Sequence, residues 1–293
     1  MAQKNLGPAE RRGFFVERGE HAGFDVVDIA ENRAFAEKAV WHTVGIINQR
    51  HDVCESERII SDVIGTGSAC SWKGRKLILT AKHVVDKAER TGLRFLLRAG
   101  DAIDWDMTGR TEVIESVSLP IERIVRWREG DLAAIVLRSG ELDESRVQFC
   151  ELPKMLARDE TVSTDGGVLL IGHPLDQFKK VSEVKQGGML VEILASVPNM
   201  LMGEVVVKPD RALSSEYDPE RDILVRFAPN TRGLKPHGYS GAGVWCDPAV
   251  NRGILWAATP LLLGVQTHAY LDSGLLCAVR ATVVRQFLEQ FLP

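Results

Sequence analysis

Residues 62–85 read DVIGTGSACSW, then KGR, then KLILTAKHVV. Two runs of apolar and β-branched residues flank Lys73-Gly74-Arg75, a break of the kind that closes a tight hairpin. Similar runs lie on both sides. WHTVGIINQR (41–50) precedes them, and LRFLLRAG (93–100), ERIVRW (122–127) and DLAAIVLR (131–138) follow. After a polar, turn-rich segment from residue 151 the pattern resumes with VLLIGHPL, GMLVEILASV, GEVVVKP, DILVRFA, GAGVWCD, PLLLGVQTHAY and GLLCAVR. Many short strands separated by turn signals indicate an all-β barrel or sandwich. Helical periodicity is confined to the ends. DIAENRAFAEKAV (28–40) carries helix formers at helical spacing, and TVVRQFLEQFL (282–292) places Val284, Phe287, Leu288 and Phe291 on one face.

The 293 residues, 45% of them hydrophobic, suffice for two cores side by side. The turn-rich stretch divides the chain into a first β unit at 41–155 and a second at 156–293, behind an N-terminal extension at 1–40. The terminal helix is expected to pack on the second unit. The charged insert DRALSSEYDPERD (210–222) reads as an exposed loop.

A net charge of −4 disfavours nucleic acid as the main ligand. No apolar run reaches the 18 residues a membrane span needs, and the N-terminus has no secretory core, so a cytoplasmic protein is expected. Five cysteines, Cys54, Cys70, Cys150, Cys246 and Cys277, form no C-x-x-C pair. They read as buried free thiols in a reducing compartment. His21, His42, His51 and His173 show no metal spacing; no metal and no cofactor is expected.

Three segments carry chemistry. Leu79-Thr80-Ala81-Lys82-His83-Val84-Val85 ends one strand. Gly130-Asp131-Leu132-Ala133 puts an acid at the head of another. Gly238-Tyr239-Ser240-Gly241-Ala242-Gly243 enters a third through a glycine-flanked serine. A serine hydroxyl needs a base in contact to lose its proton, and histidine suits that task near neutral pH. A carboxylate on the other ring nitrogen fixes the tautomer and stabilises the imidazolium. Two backbone N–H groups aimed at the developing oxyanion complete the set, and glycine at 238 frees the backbone to supply one. Asp86, Asp104 and Asp106 are alternative acids, but none heads an apolar strand as Asp131 does.

T-A-x-H, D-L-A-x-I and G-x-S-G in this order resemble the three signature segments of chymotrypsin-like serine proteases. The separations of 48 and 109 residues fit as well. The likeness spans roughly residues 41–291. It implies two antiparallel six-stranded β-barrels with the site between them and a C-terminal helix. His83 corresponds to the base, Asp131 to the orienting acid, Ser240 to the nucleophile, and the amides of Gly238 and Ser240 to the oxyanion hole. The substrate is then a protein or peptide. Leu262 to His268 resembles the strand that pairs with substrate backbone, which makes Gln266, Thr267 and His268 substrate-binding candidates. Leu234, Lys235 and His237, just before the nucleophile, are candidates for the pocket that reads a substrate side chain. Departures are specific. Tyr239 precedes Ser240 where secreted digestive members carry aspartate. Val84 follows His83 where they have a half-cystine, and G-A-G replaces G-G-P after the nucleophile. These features resemble bacterial or intracellular members. The rival reading is a catalytically silent or partner-gated module on the same fold, with a regulatory protein partner.

Overall fold

The computed structural model describes residues 38–51, 58–88, 92–98, 114–142, 147–158, 167–175, 179–186, 189–195, 199–206, 217–227, 237–246 and 260–293. Of the N-terminal extension and the expected first helix, only 38–40 fall within them, and these are helical, as is residue 41. Most of the charged insert lies outside the described residues. Its last residue, Asp222, is not exposed but 2% accessible and opens a strand.

The first half holds strands β1 (Thr43–His51), β2 (Arg58–Trp72), β3 (Arg75–Thr80), β4 (Leu93–Arg98), β5 (Ile114–Val117), β6 (Ile121–Arg126) and β7 (Ala133–Leu137). Their order is β5-β4-β1-β2-β3-β7-β6. The expected hairpin is present: Trp72 pairs with Arg75, and Lys73 and Gly74 take φ of 48° and 80°. Positive φ at both central residues gives a two-residue turn the twist of its flanking strands. The second half holds β9 (Gly167–Gly172), β12 (Asn199–Val206), β13 (Asp222–Phe227), β14 (Gly243–Cys246), β15 (Leu261–Tyr270) and β16 (Leu275–Arg280). These close into a six-stranded barrel, ordered β12-β13-β16-β15-β14-β9. The two-barrel architecture expected from the sequence is present: among the described residues the second barrel is closed and the first is a sheet curled into a half-barrel.

That sheet also recruits strands from beyond its own segment. β8 (Cys150–Glu151) pairs in parallel with β2 at Cys70 and Ser71. The hairpin of β10 (Lys179–Gln186) and β11 (Met189–Ala195) comes from the second half, yet β11 joins the first sheet by pairing with Arg58 and Ile59. The two halves are therefore interleaved as well as consecutive.

β3 and β7 explain why their sequences read as unbroken apolar runs. On β7, Ala133, Ile135 and Leu137 face the core of the first half. Ala134 and Val136 face a second core shared with the closed barrel. On β3, Ile78 takes the first side, Leu77 and Leu79 the second. A strand buried on both faces has no polar alternation to show. Each such Leu or Ile contributes about 1.5–3 kcal/mol by leaving water.

The terminal helix Ala281–Phe291 buries Val284, Phe287 and Leu288 as its periodicity requires. It packs on both halves rather than on the second alone. The Phe287 ring lies 6.5 Å from that of Trp127, and Trp72 Nε1 donates to the carbonyl of Leu292 at 3.1 Å.

Where the halves meet near the C-terminal end of β3, Thr66 collects four bonds. Its hydroxyl donates to the carbonyl of Gly238 at 2.7 Å and accepts from the amide of His173 at 3.0 Å. Its amide donates to the carbonyl of Ser240 at 2.8 Å, and its carbonyl accepts from Thr80 Oγ1 at 2.7 Å. Thr66→Val keeps the shape and removes both hydroxyl bonds. Two buried groups then go unpaired at about 1–3 kcal/mol each. Urea unfolding is expected to report a larger loss for this variant than for Thr43→Val, whose hydroxyl makes a single part-buried bond.

His173 is buried at the same junction, where a Cβ on Gly45 would stand 3.2 Å from its Cδ2. Burial lowers its pKa to about 4, below the ordinary 6.5. The unfolded chain binds the proton more readily, so this contribution to stability is complete above about pH 6.5 and fades as pH falls toward 4. About 3 kcal/mol is lost by pH 4. Unfolding free energies measured from pH 7.5 to 4 should fall less steeply in His173→Gln than in the parent.

Candidate active site

His83 does not end a strand, as its sequence context suggests. It sits in a five-residue helix, Lys82–Asp86, that starts one residue after β3. Val84 and Val85 on that helix are fully buried in the first core and pin it. The histidine itself stays half-exposed, its side chain 34% accessible.

Asp131 stands in the turn just ahead of β7. Because Thr80 pairs with Ala133 and Leu79 with Ala134, the adjacent ends of β3 and β7 carry positions 83 and 131 to the same place. Asp131 Oδ2 meets His83 Nδ1 at 2.6 Å and Oδ1 accepts the amide N–H of His83 at 2.9 Å. Its carbonyl also receives the amide of Lys82 at 3.3 Å. Both carboxylate oxygens are thus engaged by one residue, which fixes the ring. Nδ1 takes the proton toward the carboxylate, and Nε2 is left to act as base on its far side. The rival Asp86 is turned to the surface, where it accepts from Arg126 Nε at 2.7 Å. Asp104 and Asp106 lie outside the described residues.

Ser240 occupies a tight turn between two glycines with positive φ, Gly238 at 97° and Gly241 at 89°. Both also fill spaces that admit no Cβ. One on Gly238 would stand 2.2 Å from the carbonyl of His173, and one on Gly241 2.1 Å from both the carbonyl and the hydroxyl of Thr66 and Thr80 respectively. Tyr239 is fully buried beneath the turn. On one flank, Gly241 N donates to Gln266 O at 2.7 Å and Gln266 N to Ala242 O at 2.9 Å. On the other, Leu175 N donates to His237 O at 2.9 Å. The serine turn is held from both sides and from below.

The same contacts set the serine turn against the segment that leads into His83. A Cβ on Gly241 would lie 3.0 Å from the amide of Ala81, two residues before His83. A Cβ on Gly65 would lie 2.6 Å from Val84 Cγ2 and 2.7 Å from the Ser240 carbonyl, so Gly65 is wedged between the two loops. Among the described residues, neither the Gly238 nor the Ser240 amide donates to a protein acceptor. Two adjacent donors are available at the serine.

The substrate candidates separate. His268 is exposed, with its ring 6.3 Å from that of His83 and its Nδ1 3.1 Å from Thr267 Oγ1. Gln266 is buried, and its Nε2 donates to the carbonyl of His268 at 2.9 Å. Thr267 is buried too, with Oγ1 3.5 Å from the carbonyl of Cys277. β14 pairs with β15 only as far as Val265, whereas β16 accompanies it to Tyr270. The two neighbours of β15 thus part company beside the serine turn. His237 is exposed at the start of the serine turn. Leu234 and Lys235 lie outside the described residues.

Sequence reasoning passed over Thr66, Thr80 and Gly65. Thr80 belongs to the T-A-x-H signature, and its hydroxyl is the group that meets Thr66. The G-T-G spacing around Thr66, small residues within a long strand, is the trace a reader could have followed to a close backbone approach.

No family model matches this chain, and no curated protein does. Solved structures do. An HtrA-type protease, AlgW, determined with a decapeptide, superposes with a TM-score of 0.52 at 17% identity, covering 90% of this chain and 68% of that one. An inactivated protease paralogue of the scabies mite gives 0.47 at 15%, covering 86% and 96%. Together with the strand order and the closed second barrel, the first of these likenesses identifies the architecture: the chain has a chymotrypsin-like protease fold.

Proposed function

We propose that this protein is a serine endopeptidase that cleaves peptide bonds through an acyl-enzyme. The observation that carries the reading is the pairing of Asp131 with both Nδ1 and the amide of His83, at 2.6 Å and 2.9 Å, beside the Gly238–Gly241 turn. A histidine held in this way is oriented to take a proton, and half-buried Ser240 in the neighbouring turn offers the group to lose one.

In this reading Ser240 Oγ attacks the substrate carbonyl carbon while His83 Nε2 accepts its proton. Asp131 stabilises the resulting imidazolium without taking the proton itself. The carbonyl oxygen, now negative, receives the N–H groups of Gly238 and Ser240. His83 returns the proton to the departing amine, leaving an ester on Ser240. Water activated by the same imidazole then releases the acyl group. The parting of β14 from β15 at Val265, beside the serine turn, supports an extended peptide as substrate, added along β15 through its backbone. The decapeptide in the HtrA-type structure is of that chemical class.

A fluorophosphonate probe tests the reading directly. Labelling of the wild type, absent in Ser240→Ala, is the expected result; a wild type that takes no label in any condition, with or without added peptide, overturns it. For hydrolysis of a peptide library, Ser240→Ala is expected to lower turnover on the order of 10⁶-fold. Asp131→Asn retains the shape but offers Nδ1 the wrong partner, and should lose about 10⁴-fold in kcat with little change in KM. Asp86→Asn, on the surface pair with Arg126, should leave kcat within about twofold of wild type.

A further inference from the structure

Away from the cleft two thiols meet. The parallel pairing of β2 with β8 sets Cys70 opposite Cys150. Both are fully buried. Cys150 Sγ donates to Cys70 Sγ at 3.4 Å, and Cys70 Sγ donates in turn to the carbonyl of Ser68 at 3.2 Å. The two side chains have rotamers that aim sulfur at sulfur, which packing alone does not demand. Cys246 and Cys277 stand on β14 and β16 with β15 between them.

The position gives the pair a mechanical meaning. β8 begins the crossover between the halves. It is followed at once by the short helix Leu152–Met155, and then by Leu156 and Ala157. Leu156 bridges to Leu262 on β15, and the amide of Ala157 donates to the carbonyl of Leu262 at 3.0 Å. The crossover is thus held at one end by the first sheet and at the other by the closed barrel. The chain between the two cysteines carries both His83 and Asp131.

We infer that Cys70 and Cys150 form a reversible disulfide, a redox latch that fastens the crossover to β2. The oxidant is a low-molecular-weight disulfide of the glutathione type. One cysteine, as thiolate, attacks a sulfur of the oxidised glutathione, breaking its S–S bond and releasing one glutathione as thiol. The second cysteine attacks the mixed disulfide, forming the Cys70–Cys150 bond and releasing the other glutathione. Two electrons pass from the cysteines to glutathione, and the two thiol protons end on the two glutathiones. The approach from 3.4 Å to the bonded separation of about 2.05 Å needs only a small shift of side chain and edge strand. Burial raises the pKa of Cys70 and suppresses its thiolate in the closed fold, so exchange proceeds when the two-residue β8 opens or while the chain folds.

The test equilibrates the whole protein in glutathione buffers poised from reducing to oxidising. Exchange is quenched with acid, free thiols are alkylated, and the peptides are mapped by mass spectrometry. A Cys70–Cys150 linked peptide is expected at the oxidising end, with Cys246 and Cys277 alkylated throughout. The oxidised form should melt on the order of 5 °C above the reduced form. Cys150→Ala should abolish both the linked peptide and the difference in Tm between redox states. Because that variant is destabilised by its own cavity, the quantity compared is the redox-dependent shift within each protein, not its absolute Tm. Alkylation of Cys70 and Cys150 across the whole range, a bond to any other cysteine instead, or an oxidised form that melts no higher than the reduced one overturns the latch.

Discussion

The site depends on one residue that takes no part in chemistry, Thr66. Its four hydrogen bonds, between 2.7 Å and 3.0 Å, run to Gly238, Ser240, His173 and Thr80. Two partners belong to the serine turn, one to the strand that precedes Leu175, one to the strand that leads into His83. A turn bearing two positive-φ glycines has little stiffness of its own. Its shape is imposed from outside, and the backbone of Thr66 imposes it from the opposite half of the molecule. The small residues on either side of Thr66 permit the approach: Gly65 leaves room for Val84 and the Ser240 carbonyl, and Gly67 for Ile78 and the carbonyl of Leu79. Close backbone contact across the junction is therefore written into the first half as G-T-G and into the second as G-Y-S-G.

The relation between His83 and Asp131 has a different origin. It follows from strand register rather than from a hub. β3 and β7 are neighbours, their paired ends stop at Thr80 and Ala133, and the residues just beyond them emerge side by side. Register is in turn fixed by burial on both faces, since a slip of one residue would exchange the sets facing the two cores. Side chains such as Leu77, Leu79, Ala134 and Val136 thus stabilise the fold and aim the histidine at once. That coupling tells against reading the flanking apolar residues of D-L-A-A-I-V-L as mere filler.

Much of this was legible in the chain. The T-A-x-H, D-L-A and G-x-S-G segments gave the order and identity of the three polar residues, and the K-G hairpin and terminal helix were read correctly from local chemistry. What escaped was everything set by distant contacts. The placement of His83 in a helical turn is dictated by the burial of Val84 and Val85, which a strand reading of L-T-A-K-H-V-V accommodates equally well. The borrowed β11 depends on pairing with Arg58 and Ile59, more than a hundred residues earlier, for which no local signal exists. Among the described residues the cysteines are the buried free thiols expected, and only their neighbourhood escaped. Cys70 and Cys150 are 80 positions apart, and only the parallel ladder of β2 and β8 reveals them as neighbours.

The serine turn also decides where β14 and β15 part. Here β14 reaches only to Val265 because the chain must leave the ladder to form the serine turn, whose Gly241 amide and Ala242 carbonyl clamp Gln266. Beyond it β15 continues along β16, with His268, Ala269 and Tyr270 in register against Cys277, Leu276 and Leu275. The parting of β14 from β15 is thus a direct consequence of holding the serine where it is. The exposed side chain of His268 stands within 6.3 Å of the His83 ring. The strand that clamps the serine turn through Gln266 is therefore also the strand that sets His268 beside the imidazole.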